Sequence, residues 1–97
     1  MAEQWHTDQV DQLADALLAL RTREEMADFL RDICSLHEIE TLCHRWQCAQ
    51  LLAQGMPYAK VAGEVGASTA TVTRVAHWLK HGEGGYRLAI DRIGERA

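Results

Sequence analysis

Apolar residues recur every three or four positions along this chain and nowhere alternate with polar ones over a strand's length, which predicts an all-α fold. The first run is Val10, Leu13, Ala14, Leu17, Leu18 and Leu20, a helix over residues 7 to 20 capped by Thr7 or Asp8. A second helix opens at Thr22, with Glu25 three residues on in the capping-box pattern. Its apolar face is Met26, Phe29, Leu30 and Ile33, and Cys34 ends it. Ser35 and Glu38 repeat the box ahead of the longest run, which passes through Leu36, Ile39, Leu42, Cys43, Trp46, Ala49, Leu51 and Leu52. These positions cover more than one stripe, the mark of a central scaffold helix with more than one neighbour. Gln54-Gly55 stops it, glycine supplying the left-handed residue that others resist.

Two short helices follow. Pro57 suits the first turn of the fourth, where its missing N–H costs nothing, and Tyr58, Val61, Ala62 and Val65 give the inner side. Gly66 makes a tight turn, Ala67 permits close packing, and Ser68 caps the fifth helix, whose inner face is Val72, Val75, Ala76 and Leu79. That helix stops near His81-Gly82, and Glu83-Gly84-Gly85 reads as a flexible joint. A last helix, Tyr86 to Ile93, offers Leu88, Ala89 and Ile93 as a docking face. The expectation is six helices in a single all-helical domain over residues 1–97.

Charge and composition sharpen this outline. No apolar run approaches the ~20 residues of a membrane span. The opening MAEQWHTDQVDQL is acidic and polar, unlike a signal peptide. A soluble, cytoplasmic, nucleoid-associated protein with no membrane partner is expected. Cys34, Cys43 and Cys48 are an odd number without scaffold spacing and are expected as reduced thiols. The net charge of −4 at first disfavours a nucleic-acid partner. The charge is divided, however: residues 1–48 carry −6 and residues 49–97 carry +2. Binding phosphate needs local positive charge, so the division permits a DNA partner.

The stretch from residue 57 to 81 has the grammar of a helix-turn-helix, whose second helix enters the major groove of DNA. Ser68, Thr69, Thr71 and Thr73 crowd the start of that helix with short hydroxyl side chains, an unusual density for residues of middling helix propensity. Hydroxyls and free N–H groups there can bond phosphates, threonine methyls can touch thymine, and Ala70 keeps the approach open. Tyr58 and Lys60 on the fourth helix and Lys80 at the end of the fifth complete the candidate DNA-binding set, Lys60 and Lys80 as phosphate clamps. His77 and His81 face together one turn apart, toward phosphates more plausibly than toward a substrate.

At these residues the sequence resembles the tryptophan-repressor superfamily, and more closely its YerC/YecD branch. The matching stretches are SLHEIETLCHRWQCAQLLAQGMPY, EVGASTATVTRVAHWL and the trailing YRLAI, within residues 10 to 93. The resemblance implies a six-helix fold, an intertwined homodimer, and a repressor-like regulator of transcription. Such a dimer reads double-stranded DNA at a palindromic operator, its half-sites about one DNA turn apart. It places base and phosphate contacts on Thr69, Ala70, Thr71 and Thr73. The family's basic contacts on the preceding helix fall here on Ala59 and Ala62, with Lys60 offset by one.

The resemblance also implies a ligand site. Tryptophan-binding members sandwich the indole between two arginines, and Arg45 and Arg74 match both. Cys34 and Ser35 match positions that close the pocket from the partner subunit. L-tryptophan or a related indole or aromatic effector is the implied ligand. Val75 and Trp78 stand where those members have small residues, and Trp78 is placed to fill the slot as a built-in surrogate ligand. In that case no cofactor is required.

Other chemistry has less to stand on. His37, Thr41, His44 and Cys48 share a stripe of the third helix, but CxxC and HxxxH spacings are absent from it, and no metal is expected. No nucleophile motif or phosphate loop appears, so an enzyme is not expected. Two alternatives stay open: a DNA-binding regulator that needs no effector, and a helical protein-interaction module that does not bind DNA.

Overall fold

The computed structural model describes residues 4–96; residues 1–3 and 97, the ends of the expected domain and of the segment weighed against a signal peptide, lie outside it. Six helices and no strand are found among the described residues: α1 (Asp8–Ala19), α2 (Arg23–Ile33), α3 (Leu36–Ala53), α4 (Tyr58–Val65), α5 (Thr69–His81) and α6 (Gly85–Arg96). The all-α expectation holds, and the starts of α1, α2, α3 and α5 fall where the sequence puts them, because each is fixed by a side-chain cap reaching three residues on.

The Thr7 hydroxyl accepts from the Val10 N–H at 3.3 Å and caps α1. The Ser35/Glu38 box is complete: the Glu38 N–H donates to Ser35 Oγ at 3.1 Å and the Ser35 N–H to the Glu38 carboxylate at 2.8 Å. These bonds hold the Glu38 carboxyl below its ordinary value. The box at α2 is shifted. Thr22 accepts from the Glu25 N–H at 3.0 Å, but Glu25 reaches back to the N–H of Arg21, one residue earlier than the pattern implies, at 2.8 Å.

The chain divides into two compact units, one ending at Ile39 and one beginning at Glu40. In the first, α1 and α2 bury no side chain completely. Val10, Leu17, Met26, Phe29 and Leu30 are half-buried, while Leu18 is 82% and Ile33 54% exposed.

The second unit holds the core. Cys48 and Ala49 of α3, Val61 of α4, and Val72 and Val75 of α5 form one buried cluster. Met56 packs against it from the turn after α3, where Gly55 at φ +90° lets the Met56 N–H return to the Leu51 carbonyl at 3.2 Å. Gly66, at φ +77°, closes α4, and its own N–H and that of Ala67 both bond the Ala62 carbonyl. All four residues expected on the inner face of α5 are buried.

Three local expectations are corrected. Pro57 precedes α4 as its extended N-cap residue (φ −60°, ψ 146°), and its carbonyl accepts from Lys60 and Val61. The segment expected as a joint is shorter than the sequence suggests, since α6 already starts at Gly85; ahead of it the Gly82 N–H donates to the Trp78 carbonyl at 2.9 Å and Gly84 is left-handed at φ +86°. The inner face of α6 is Tyr86 and Ile90, both packed on the core, while Leu88 and Ile93 are 51% and 46% exposed. Tyr86 and Ile90 are one helical turn apart, a stripe that excludes Leu88.

Candidate nucleic-acid interface

The turn and α5 present the candidate DNA contacts. The Ser68 hydroxyl caps α5 by accepting from the Thr71 N–H and donates to the Thr71 hydroxyl, each at 3.1 Å. Those bonds commit Ser68 and Thr71 to shaping the helix start and leave Thr71 half-buried. Thr69, Ala70 and Thr73 are exposed, as are Arg74 and His77 further along. With Val72, Val75, Ala76 and Leu79 buried, helical geometry aims Ala70, Arg74 and His77 directly away from the core. Thr69 and Thr73 share one flank of this ridge with Lys80; Thr71 and Trp78 share the other.

On α4, Lys60 is exposed and Tyr58 is 41% exposed, although the apolar pattern counted Tyr58 on the inner side. The ammonium of Lys80 donates to the Tyr58 hydroxyl at 3.3 Å and lies 5.9 Å from the ring centroid. Of the two clamps expected from sequence, Lys80 is therefore already held by a neighbour.

Arg45 of α3 and Arg74 of α5 line one pocket of about 270 Å³ with Val75, Trp78 and Tyr86. Trp78 lines this pocket, is 53% exposed, and its ring meets that of His77 in a T-shape at 5.4 Å. Tyr86, packed against the core cluster, lines the pocket as well. Burial raises its hydroxyl above the ordinary value, against the opposing pull of the Arg45 guanidinium. Cys34 and Ser35 belong to the first unit, as the C-cap of α2 and the cap of α3, whereas the walls of this pocket all come from the second. Among the described residues no group of three His, Cys, Asp or Glu side chains is placed to share a metal ion. Cys48, from the His37/His44 stripe, is wholly buried in the core.

The chain and its fold have known counterparts. The family model for the Trp repressor protein matches residues 8–94. The chain belongs to the Trp repressor family. An uncharacterised protein of Bacillus subtilis, YerC, is 40% identical over 87 residues, which are 90% of this chain and 84% of that one. Among solved structures, a TrpR-like protein from Eubacterium eligens superposes with a TM-score of 0.87 at 38% identity, covering 92% of each chain. A Trp repressor candidate from Staphylococcus aureus gives 0.89 at 38% identity, covering 96% of each. The six-helix architecture of this Trp repressor family member is thus that of its TrpR-like neighbours.

Sequence reasoning missed Tyr86, Trp46 and Glu83 as site residues. Tyr86 and Trp46 were read as helix positions and Glu83 as part of a joint, and the fold brings all three to one cleft. Spacing along the chain gives no sign of that meeting, since Trp46 is far from the other two in sequence.

Proposed function

We propose that this Trp repressor family member is a sequence-specific DNA-binding regulator of transcription, repressor-like, that reads a palindromic operator as a homodimer. The observation that carries the reading is the outward ridge of Ala70, Arg74 and His77 on α5, flanked by Thr69 and Thr73, short at its N-terminal end and cationic at Arg74, set on a buried inner face. A helix start with small side chains approaches base edges closely, and Arg74 can pair bidentately with guanine or clamp a phosphate. Dimerisation is supported by apolar surface that the single chain leaves open, with Leu13, Leu18, Ile33, Leu36 and Leu42 all more than two-fifths exposed. The regulator would act where DNA is, in the cytoplasm.

The pocket between Arg45 and Arg74 supports modulation by a small aromatic carboxylate such as an aromatic amino acid. Two guanidinium groups suit a carboxylate, and Trp78 and Tyr86 supply ring faces. At about 270 Å³ the space lies just below the usual range for ligand sites, which favours a compact effector.

The test is fluorescence anisotropy on promoter fragments with and without L-tryptophan, over a salt series. Specific binding that weakens steeply with salt, and that Thr73→Ala and Arg74→Ala reduce by about tenfold or more each while the oligomeric state stays intact, is the expected result. Equal affinity of wild type and both variants for all DNA would remove the assignment of α5 as reader. A helical interaction module that does not bind DNA would then be the better reading.

A further inference from the structure

The outward ridge of α5 runs on past Arg74 to a pair of histidines. His77 and His81 are the two of the chain's five histidines that stand four positions apart. Both are exposed, and their ring centroids are 5.3 Å apart with the planes tilted by 52°. With Ala70 and Arg74 they lie on the side of the helix opposite Val72, Val75, Ala76 and Leu79. The side-chain hydrogen bonds of this region run through Ser68, Thr71 and Lys80 and use neither imidazole. The exposed apolar residues that support a dimer interface lie on α1, α2 and α3, whereas this ridge carries no apolar side chain beyond Ala70.

The separation of the rings suits chelation. Two imidazole nitrogens on one metal ion at about 2.1 Å, meeting at roughly 100°, bring their ring centroids to about 5 Å. From the observed 5.3 Å, small rotations of two exposed side chains reach that arrangement. The same spacing on a helix serves paired histidine ligands of zinc. The donor set decides which metals fit. Arg74 lies on the ridge one turn before His77, and Lys80, next to His81 in sequence, is held at Tyr58. Among the described residues no third His, Cys, Asp or Glu joins the pair. Magnesium and calcium need oxygen ligands and gain nothing from two imidazoles beside an arginine. Nickel, copper and zinc bond neutral imidazole nitrogen directly and need no neighbouring carboxylate.

We propose that His77 and His81 chelate one divalent ion of the nickel, copper and zinc group on the outward ridge of α5. Water fills the remaining positions of the ion. Its charge adds to that of Arg74, so metal and DNA each strengthen the binding of the other. The coupling rests on the reading of α5 as the DNA contact; the chelation does not.

The probe is nickel ion, titrated calorimetrically into the full-length protein at mildly alkaline pH, since imidazole binds metal in its neutral form. Saturable binding of one ion per chain is expected, with a rise in Tm that follows nickel concentration. His77→Ala and His81→Ala, both at exposed positions, should each weaken binding about tenfold or more and remove the rise in Tm. His37→Ala, at an exposed position on α3, should change neither, and magnesium should give no response. No saturable binding, binding retained in both ridge variants, an equal loss with His37→Ala, or an equal response to magnesium would each overturn the proposal. Growth of the assembly on adding nickel would also overturn it, as the sign of single histidines from two copies sharing the ion. In the anisotropy assay, saturating nickel should tighten DNA binding several-fold for the wild type and leave His81→Ala unchanged. Nickel bound with DNA affinity unaltered would overturn the coupling, and failure of all specific DNA binding without metal would instead count against α5 as reader.

Discussion

Lys80, on the last turn of α5, donates a hydrogen bond of 3.3 Å to the hydroxyl of Tyr58, on the first turn of α4, with its ammonium 5.9 Å from the ring centroid. This contact ties the open ends of the two helices that the turn at Gly66 joins at their other ends. Removing it with Tyr58→Phe or Lys80→Met should lower stability by about 0.5 kcal/mol in urea denaturation, since both residues are exposed. The double variant should cost no more than the larger single one if the pair acts as a unit. A lysine so occupied reaches phosphate only by giving up its partner. Tyr58→Phe should therefore leave DNA affinity unchanged or raise it slightly, while Lys80→Met reduces the salt slope by about one.

The two glycines of the α4 region should respond to alanine in opposite directions. Gly66 has open space around its Cα, but its φ of +77° is strained for any other residue, so Gly66→Ala should destabilise by about 1–2 kcal/mol. Gly63 lies within α4, with nothing within 4 Å of a Cβ placed on it, and Gly63→Ala should stabilise by about 0.5–1 kcal/mol. Thermal denaturation at matched concentration reads both.

Cysteine reactivity should rank with burial. Cys43 is exposed, Cys34 half-buried and Cys48 fully buried, so a thiol reagent should label Cys43 first and Cys48 only after denaturation. Burial also pushes the Cys48 thiol above its ordinary value of 9.0. A raised pKa stabilises the fold fully below the unfolded value, and that contribution is lost as pH rises through the folded value, because only the unfolded chain ionises in between. Stability should thus decline above about pH 9, with Tyr86 acting the same way from its ordinary value of 10.0. Cys48→Ala with Tyr86→Phe should flatten that alkaline limb, as followed by urea midpoints against pH. A limb of unchanged slope would rule out these two groups as its source.

The acid limb belongs in part to Glu38, whose carboxyl sits below its ordinary value of 4.5 because of the Ser35 bonds. A lowered pKa gives stability that is present above the unfolded value and lost as pH falls through the folded one. Ser35→Ala should cost about 1 kcal/mol at neutral pH and less below pH 4. In Glu38→Gln the loss on acidification should be smaller than in the wild type, measured as the helical circular-dichroism midpoint.

The amino-acid sequence alone determined whatever depends on neighbours within one helical turn. The caps at Thr7, Thr22, Ser35 and Ser68, the stops at Gly55 and Gly66, and the buried face of α5 are all of this kind, and the structure contains each of them. Glu25 shows the limit even there: its carboxylate bonds Arg21 in place of Thr22, a choice between adjacent donors that the pattern does not encode. The tertiary structure decided which faces meet. It turned Tyr86 and Ile90 to the core in place of Leu88 and Ile93, and gave Lys80 to Tyr58. It also brought Trp78 and Tyr86 together beside Arg45 and Arg74. A cap is settled by bonds three residues long, whereas the partner of a side chain on α6 or α5 depends on how whole helices pack, and no local spacing carries that information.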